Sequence, residues 1–249
     1  MNKMLNKVPQ ITLIFWIIKI LATTVGETVA DFFSETLNFG LTGTSYVMGA
    51  ILLVVLIIQF KCKKYIPAVF WLAVVLLSIV GTLISDNLVD NLGVSLATTS
   101  IIFGSALIVV FIAWYASEKT LSVDNINTSK KELFYWLAIL FTFALGTSAG
   151  DLISESSGLG YAYAALLFAG IILLDFIAYK FLQLNAILSF WIAYILTRPL
   201  GASLGDLLSQ PVKDGGLGIG TTVTSIVFLS VILILVIYLS IQKKNERTV

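Results

Sequence analysis

Histidine is absent from this 249-residue chain, cysteine occurs once, at Cys62, and charged residues make up only 12% of it. The first two absences remove the usual ligands of zinc, copper and nickel, and with histidine goes the commonest general base. A single thiol also forbids an intramolecular disulfide. No nucleophile elbow, phosphate loop or metalloprotease pattern is present. The glycine-rich piece Gly215-Gly216-Leu217-Gly218-Ile219-Gly220 fits no phosphate-binding spacing, and Gly158-Leu159-Gly160 stands at the corresponding place one repeat earlier, so both read as turns. An enzyme is therefore not expected, and neither is a cofactor. A metal, if held at all, would be held by oxygen, which suits Mg²⁺, Ca²⁺, Mn²⁺ or the alkali ions. Soluble domains are about one quarter charged, so the scarcity of charge is itself a class signal.

What the chain has in its place is hydrocarbon. Hydrophobic residues are 58% of the positions and the mean hydropathy is +0.99. Crossing a bilayer takes about 20 mostly apolar residues per helix, and eight such stretches are found, near 11–32, 43–60, 67–88, 96–115, 133–153, 161–181, 186–207 and 221–241. Runs such as Ile51-Leu52-Leu53-Val54-Val55-Leu56-Ile57-Ile58 do not alternate, which disfavours barrel strands. The expectation is an all-α integral membrane protein in one membrane domain. The first stretch carries Lys19 and belongs to the repeat described below, so it reads as a span and not as a cleaved signal.

Charge is sparse but sorted. Lys3 and Lys7 precede the first span, Lys61, Lys63 and Lys64 follow the second, and Lys119, Lys130 and Lys131 lie between the fourth and fifth. Lys180 ends the sixth, and Lys243, Lys244 and Arg247 follow the eighth. The loops at the other side hold only Lys213. By the positive-inside rule both termini, and Cys62 with them, are expected in the cytoplasm.

One phrase recurs four times: an aromatic-Trp pair, a Gly ten residues after the Trp, and an Asp five residues after the Gly. The copies are Phe15-Trp16, Gly26, Asp31; Phe70-Trp71, Gly81, Asp86; Tyr135-Trp136, Gly146, Asp151; and Phe190-Trp191, Gly201, Asp206. The Trp spacings of 55, 65 and 55 define two halves of two hairpins each, with repeats at about 8–64, 65–118, 133–183 and 184–242 and a polar linker at 118–132. An even number of spans per unit makes the repeats parallel, related by an axis along the membrane normal. These features resemble a bacterial membrane-protein family of four tandem two-helix repeats of unknown function, each with a characteristic Trp. The resemblance implies the fold and a place in the prokaryotic plasma (inner) membrane, and it brings no activity and no site residues.

Function has to come from the side chains. Along a helix the fifteen residues from Trp to Asp rise about 22 Å, which puts the Trp toward the cytoplasmic boundary, as an interfacial aromatic belt, and the Asp toward the outer one. Four residues after each Gly stands another small residue, Ala30, Ser85, Gly150 and Gly205, the pattern that lets membrane helices approach closely. The four odd helices are expected to meet at a centre with the even ones outside. One turn beyond each Asp comes Glu35, Asp90, Glu155 or Gln210, so seven carboxylates are expected around one outer mouth, a cation-attracting vestibule.

Two positions break the repeat with charge. Just after the Gly the copies read Glu27, Thr82, Thr147 and Ala202, and seven residues after the Trp they read Thr23, Ser78, Phe143 and Arg198. A buried charge in a membrane costs about 3 kcal/mol unless it is paired or hydrated, so an Arg198–Glu27 bridge is expected if the four units close into a ring, with Pro199 freeing backbone carbonyls nearby. Lys19 is expected to snorkel to the cytoplasmic headgroups; Asp175, five residues before Lys180 on the sixth span, is its possible partner. The reading is a transporter or channel for a small solute, a cation captured by Asp31, Asp86, Asp151 and Asp206, which are also the residues that would hold a metal if any does. Glu27 would be the deeper carboxylate coupling movement to protons, and Thr23, Thr82 and Thr147 would offer neutral oxygens along the path. An anion transporter using Arg198 and Lys19 is the alternative within that class, and a non-transporting structural or accessory protein the alternative outside it. The expected partners are the lipid bilayer and the solute, with no nucleic acid.

Overall fold

A computed structural model describes residues 6–245, apart from the side chains of residues 155 and 156; Lys3 and Arg247 lie outside the described residues. Among the described residues there are eight α-helices, each long and apolar enough to span a membrane: α1 Leu13–Asp31, α2 Gly40–Lys61, α3 Pro67–Asp86, α4 Leu96–Glu118, α5 Ser129–Asp151, α6 Tyr161–Phe181, α7 Ala186–Ser209 and α8 Thr221–Asn245. This is a multi-pass membrane protein. Local chemistry sets several boundaries. Thr12, Ser95, Thr128 and Asn185 cap α1, α4, α5 and α7 by accepting from backbone N–H groups one turn in, and Pro67 opens α3, where its missing N–H costs nothing. The Thr128 cap starts α5 four residues earlier than hydropathy indicates, so the polar linker is shorter than 118–132. Lys130, Lys131 and Glu132 form the first turn of the helix.

The odd helices are central. Between 61% and 78% of the apolar window of each is buried, against 22% in each even helix. In sequence order α1, α3, α5 and α7 pack side by side and α7 returns to α1, closing a four-membered ring. A ring of four helices demands close approach at four seams, and one glycine serves each. A Cβ on Gly26 would collide with Ser78, one on Gly81 with Phe143, one on Gly146 with Arg198 and one on Gly201 with Thr23. Every Gly of the repeat phrase thus receives the side chain that lies seven residues after the Trp of the next copy, and the fourth receives that of the first.

The even helices do not fold back on their own hairpin partners. α2 packs mainly on α3, α4 on α5, α6 on α7 and α8 on α1, so every hairpin straddles a seam. Polar side chains mark these contacts: Asn87 donates to Ser45 at 2.9 Å, Ser100 to Ser148 at 3.1 Å and Ser225 to Thr28 at 2.8 Å.

At the end that carries the termini, aromatic rings fill the ring of helices. Phe15 reaches Trp71 on α3 (centroids 5.5 Å apart) and Phe190 on α7 (6.2 Å), and Phe70 reaches Trp136 on α5 (5.4 Å). Trp71, Trp136 and Trp191 are only 1%, 3% and 4% exposed. The expectation of an interfacial belt is therefore wrong for three of the four repeat tryptophans. Trp71 and Trp136 pack against Phe15 and Phe70 of the neighbouring odd helix and Trp191 against Phe111 and Trp114 of α4, and this aromatic packing wins over the headgroup boundary.

Gly81→Ala is expected to destabilise the bundle by about 1–3 kcal/mol, because Phe143 and the backbone of Ala144 leave no room for a methyl group. Gly49→Ala and Gly170→Ala on the outer helices, where a Cβ meets nothing within 4 Å, should not. Reversible unfolding in mixed micelles measures the difference, and equal stability of all three variants would contradict the seam.

Candidate functional site

After Asp31, Asp86 and Asp151 the three odd helices widen into a π turn, at Phe32–Thr36, Asn87–Asn91 and Leu152–Ser156. Such turns are rare and gather at functional sites. In the fourth copy α7 stays α-helical to Ser209, past Asp206. These ends surround a cup of about 290 Å³ lined by Glu27, Asp31, Glu35, Asp86, Asp90, Asp151, Asp206 and Gln210, with Ser34 among them. Among the described residues no lysine or arginine lines it. The charges of Glu27, Asp151, Asp31 and Asp90 all bear on Asp86. The four repeat aspartates are thus brought together, as the fourfold register requires. The Glu155 side chain lies outside the described residues.

Among the described residues no three carboxylates converge closely enough to hold a metal ion between them. Asp31, Asp86, Asp151 and Asp206 share the cup without such a cluster among them.

Beneath the cup lies its floor. Arg198 is fully buried, and its Nη2 donates to Glu27 Oε2 at 2.8 Å, to Thr147 Oγ1 at 2.7 Å and to Thr82 Oγ1, while Nη1 reaches the Thr23 carbonyl at 3.4 Å. One guanidinium is therefore held by α1, α3 and α5 from its seat on α7. Planar and forked, it is the side chain best suited to several acceptors at once. The acceptors Glu27, Thr82 and Thr147 occupy the same repeat position in three copies, and the fourth copy puts Ala202 there. The expected Arg198–Glu27 bridge exists.

The threonines are not open to a passing solute. Thr82 and Thr147 are engaged by Arg198, and the Thr23 hydroxyl donates to the carbonyls of Ile20 at 2.6 Å and Thr197 at 3.1 Å; all three are fully buried. They build the floor of the cup and do not line a channel.

Lys19 also departs from expectation. It does not snorkel: it is fully buried, its Nζ donates to Thr197 Oγ1 at 3.3 Å, and it lies 4.4 Å from the Phe143 ring centre and 4.2 Å from that of Tyr194. Two aromatic faces and a hydroxyl replace the headgroups as its partners. Asp175 pairs with neither Lys19 nor Lys180; its Oδ2 accepts from Ser189 Oγ at 2.7 Å.

A second buried ion pair went unnoticed in the sequence. Lys7 Nζ meets Glu132 Oε2 at 2.5 Å and donates to the Phe60 carbonyl at 3.0 Å, while Gln59 Nε2 donates to Glu132 Oε1 at 3.0 Å; Lys7 and Glu132 are each 1% exposed. Asn6 accepts from the backbone of Tyr65 and, through its side chain, from that of Ile126. The segment before α1 is thereby tied to α2, the turn before α3, the linker and the first turn of α5, across the aromatic end of the ring. Lys7 and Glu132 both sit among charges at a membrane boundary, where sequence alone reads them as solvated.

Four tandem matches, at residues 14–65, 69–120, 134–184 and 189–245, show that this chain belongs to the family described as Repeat of Unknown Function (DUF347). No curated protein and no solved structure matches it.

Glu27→Gln leaves a buried guanidinium without its counter-charge, a loss of about 3–5 kcal/mol when one member of a buried pair is removed. The double variant Glu27→Gln with Arg198→Gln should recover much of that stability. Thermal unfolding in detergent checks this, and strictly additive losses would show that the two side chains do not share an interaction.

Proposed function

We propose that this protein is a carrier for a small cation in the plasma membrane, with the acidic cup facing outward and the termini in the cytoplasm. The observation that carries the reading is a membrane-embedded cavity lined by seven carboxylates and no base, closed below by a single ion-paired plug. Carboxylates concentrated in a low-dielectric cleft focus negative potential and raise the local cation concentration. Orientation follows from the lysines at the opposite end of the bundle, among them Lys61, Lys63, Lys64, Lys130, Lys131 and Lys243.

A carrier suits this geometry better than an open pore. Below the cup the axis is filled first by Arg198 and its partners and then by the aromatic layer, with the Lys7–Glu132 pair beyond. The cup is open while the other side is shut, which is one half of an alternating-access cycle. Because no three carboxylates converge on a point, the solute keeps part of its hydration shell or is an organic cation; a cup of about 290 Å³ is near the lower end of ligand-pocket sizes. Glu27 is the group that joins cup to plug. Its protonation would release Arg198 and loosen the floor, which links a proton to solute movement.

The anion alternative requires Arg198 or Lys19 to face the solute, and both are fully buried among protein partners. A purely structural protein has no need of a water-accessible acidic cavity within its central ring.

Flux into proteoliposomes, across a panel of monovalent, divalent and small organic cations with organic anions as controls, tests the proposal. Asp151→Asn should lower uptake of the accepted cation by about ten-fold at low ionic strength, and by less as salt screens the cup. Flux of anions in place of cations, or cation flux indifferent to Asp151→Asn, would overturn it.

A further inference from the structure

Pseudo-symmetry makes it possible to ask what each copy has changed, and the third copy has changed the inward-facing side of its even helix, which is buried in the first two copies. Thirty-nine residues after the repeat Trp stand Val55, Val110 and Asp175; one further on stand Leu56, Phe111 and Phe176; four further on stand Gln59, Trp114 and Tyr179. On α4 these side chains close the seam toward α7: the rings of Phe111 and Trp114 lie 4.9 Å and 5.8 Å from that of Trp191. On α6 the counterparts stand away from Trp16. Phe176 and Tyr179 are 55% and 45% exposed, and between them and α1 a groove of about 800 Å³ opens.

The groove is apolar, with Ile11, Leu13, Trp16, Ile20, Ile172 and Phe190 among its walls. At its side is Asp175, 8% exposed, with Oδ2 bonded to Ser189 and Oδ1 without a partner. A buried carboxylate oxygen left unsatisfied inside a membrane is costly and needs a donor. Among the described residues the other carboxylate on the groove is Asp124, in the linker, and no lysine or arginine lines it. A phosphate-bearing lipid would find nothing there to neutralise its anion.

We propose that this groove is a binding site for a lipophilic amine: a hydrocarbon or aromatic body lying along α1 and α6, entered from the bilayer, with its ammonium donating to Asp175. The site arises where a valine of the first two copies has become an aspartate and the aromatic lid has swung clear. It stands apart from the acidic cup, at the opposite end of the bundle and open to lipid instead of water, so it does not depend on the transport reading.

The test uses the full chain in phosphatidylcholine nanodiscs, with tryptophan quenching by 12-bromododecylamine, whose brominated chain would lie in the groove that Trp16 lines. Saturable quenching is expected, about ten-fold weaker in Asp175→Asn and in Asp175→Val, as the loss of a charge-assisted bond implies, and absent for 12-bromododecanoic acid. Ala193→Phe, which fills the groove and leaves the carboxylate in place, should abolish it as well; should the Asp175 variants fail to fold, this variant alone decides. Quenching that survives Ala193→Phe or is equal in Asp175→Asn overturns the proposal. So does equal quenching by the acid, or Asp175-dependent quenching by brominated phosphatidylcholine, which would assign the groove to ordinary lipid.

Discussion

A guanidinium in the middle of a membrane bundle has to be solvated by the protein itself, and Arg198 is solvated by three other helices at once. Its bonds to Glu27, Thr82 and Thr147, with the Thr23 carbonyl behind, require the four odd helices to stand at one depth and in one register. In lipid there is little hydrophobic force to gather helices, so packing and polar contacts have to do it. The glycine seams supply the first and the Arg198 cluster the second. Separating either one from the other leaves a buried charge unpaired or a ring that cannot close.

The acidic cup is a consequence of that closure. Asp31, Asp86 and Asp151 each stand four residues beyond the side chain that binds Arg198, and Asp206 stands eight beyond Arg198 itself, so bringing the latter together brings the carboxylates together on the same side. Repulsion among the carboxylates opposes the ring, and the single positive charge beneath them opposes the repulsion. A cation entering the cup would relieve the same strain that Arg198 relieves from below. On the proposed function, that competition would couple solute, Glu27 and the floor without any further element.

Much of this was legible in the residues. The eight spans, the parallel repeats, the central position of the odd helices and the Arg198–Glu27 pair all follow from periodic spacing, and periodicity is the signal that sequence carries best. What was not legible depends on which neighbour a side chain meets. Trp71, Trp136 and Trp191 read as belt residues because burial among aromatics of three other helices has no local signature. Lys19 reads as a snorkelling residue because Phe143 and Tyr194, which receive it, are more than a hundred residues away. The seating of each even helix on the next repeat, and the Lys7–Glu132 pair that follows from the folding of the segment before α1, are likewise facts of tertiary geometry.

The central claim is that four acidic helix ends share one water-accessible cup that is closed underneath. Its most direct measurement places a cysteine at Asp86 in a Cys62→Ser background and compares modification by cationic and anionic methanethiosulfonates of similar size, applied from the side opposite the termini. The account predicts reaction from that side, with the cationic reagent faster by about ten-fold or more at low ionic strength and the two rates converging as salt is added. No reaction from that side, or equal rates for the two reagents at low salt, would contradict it.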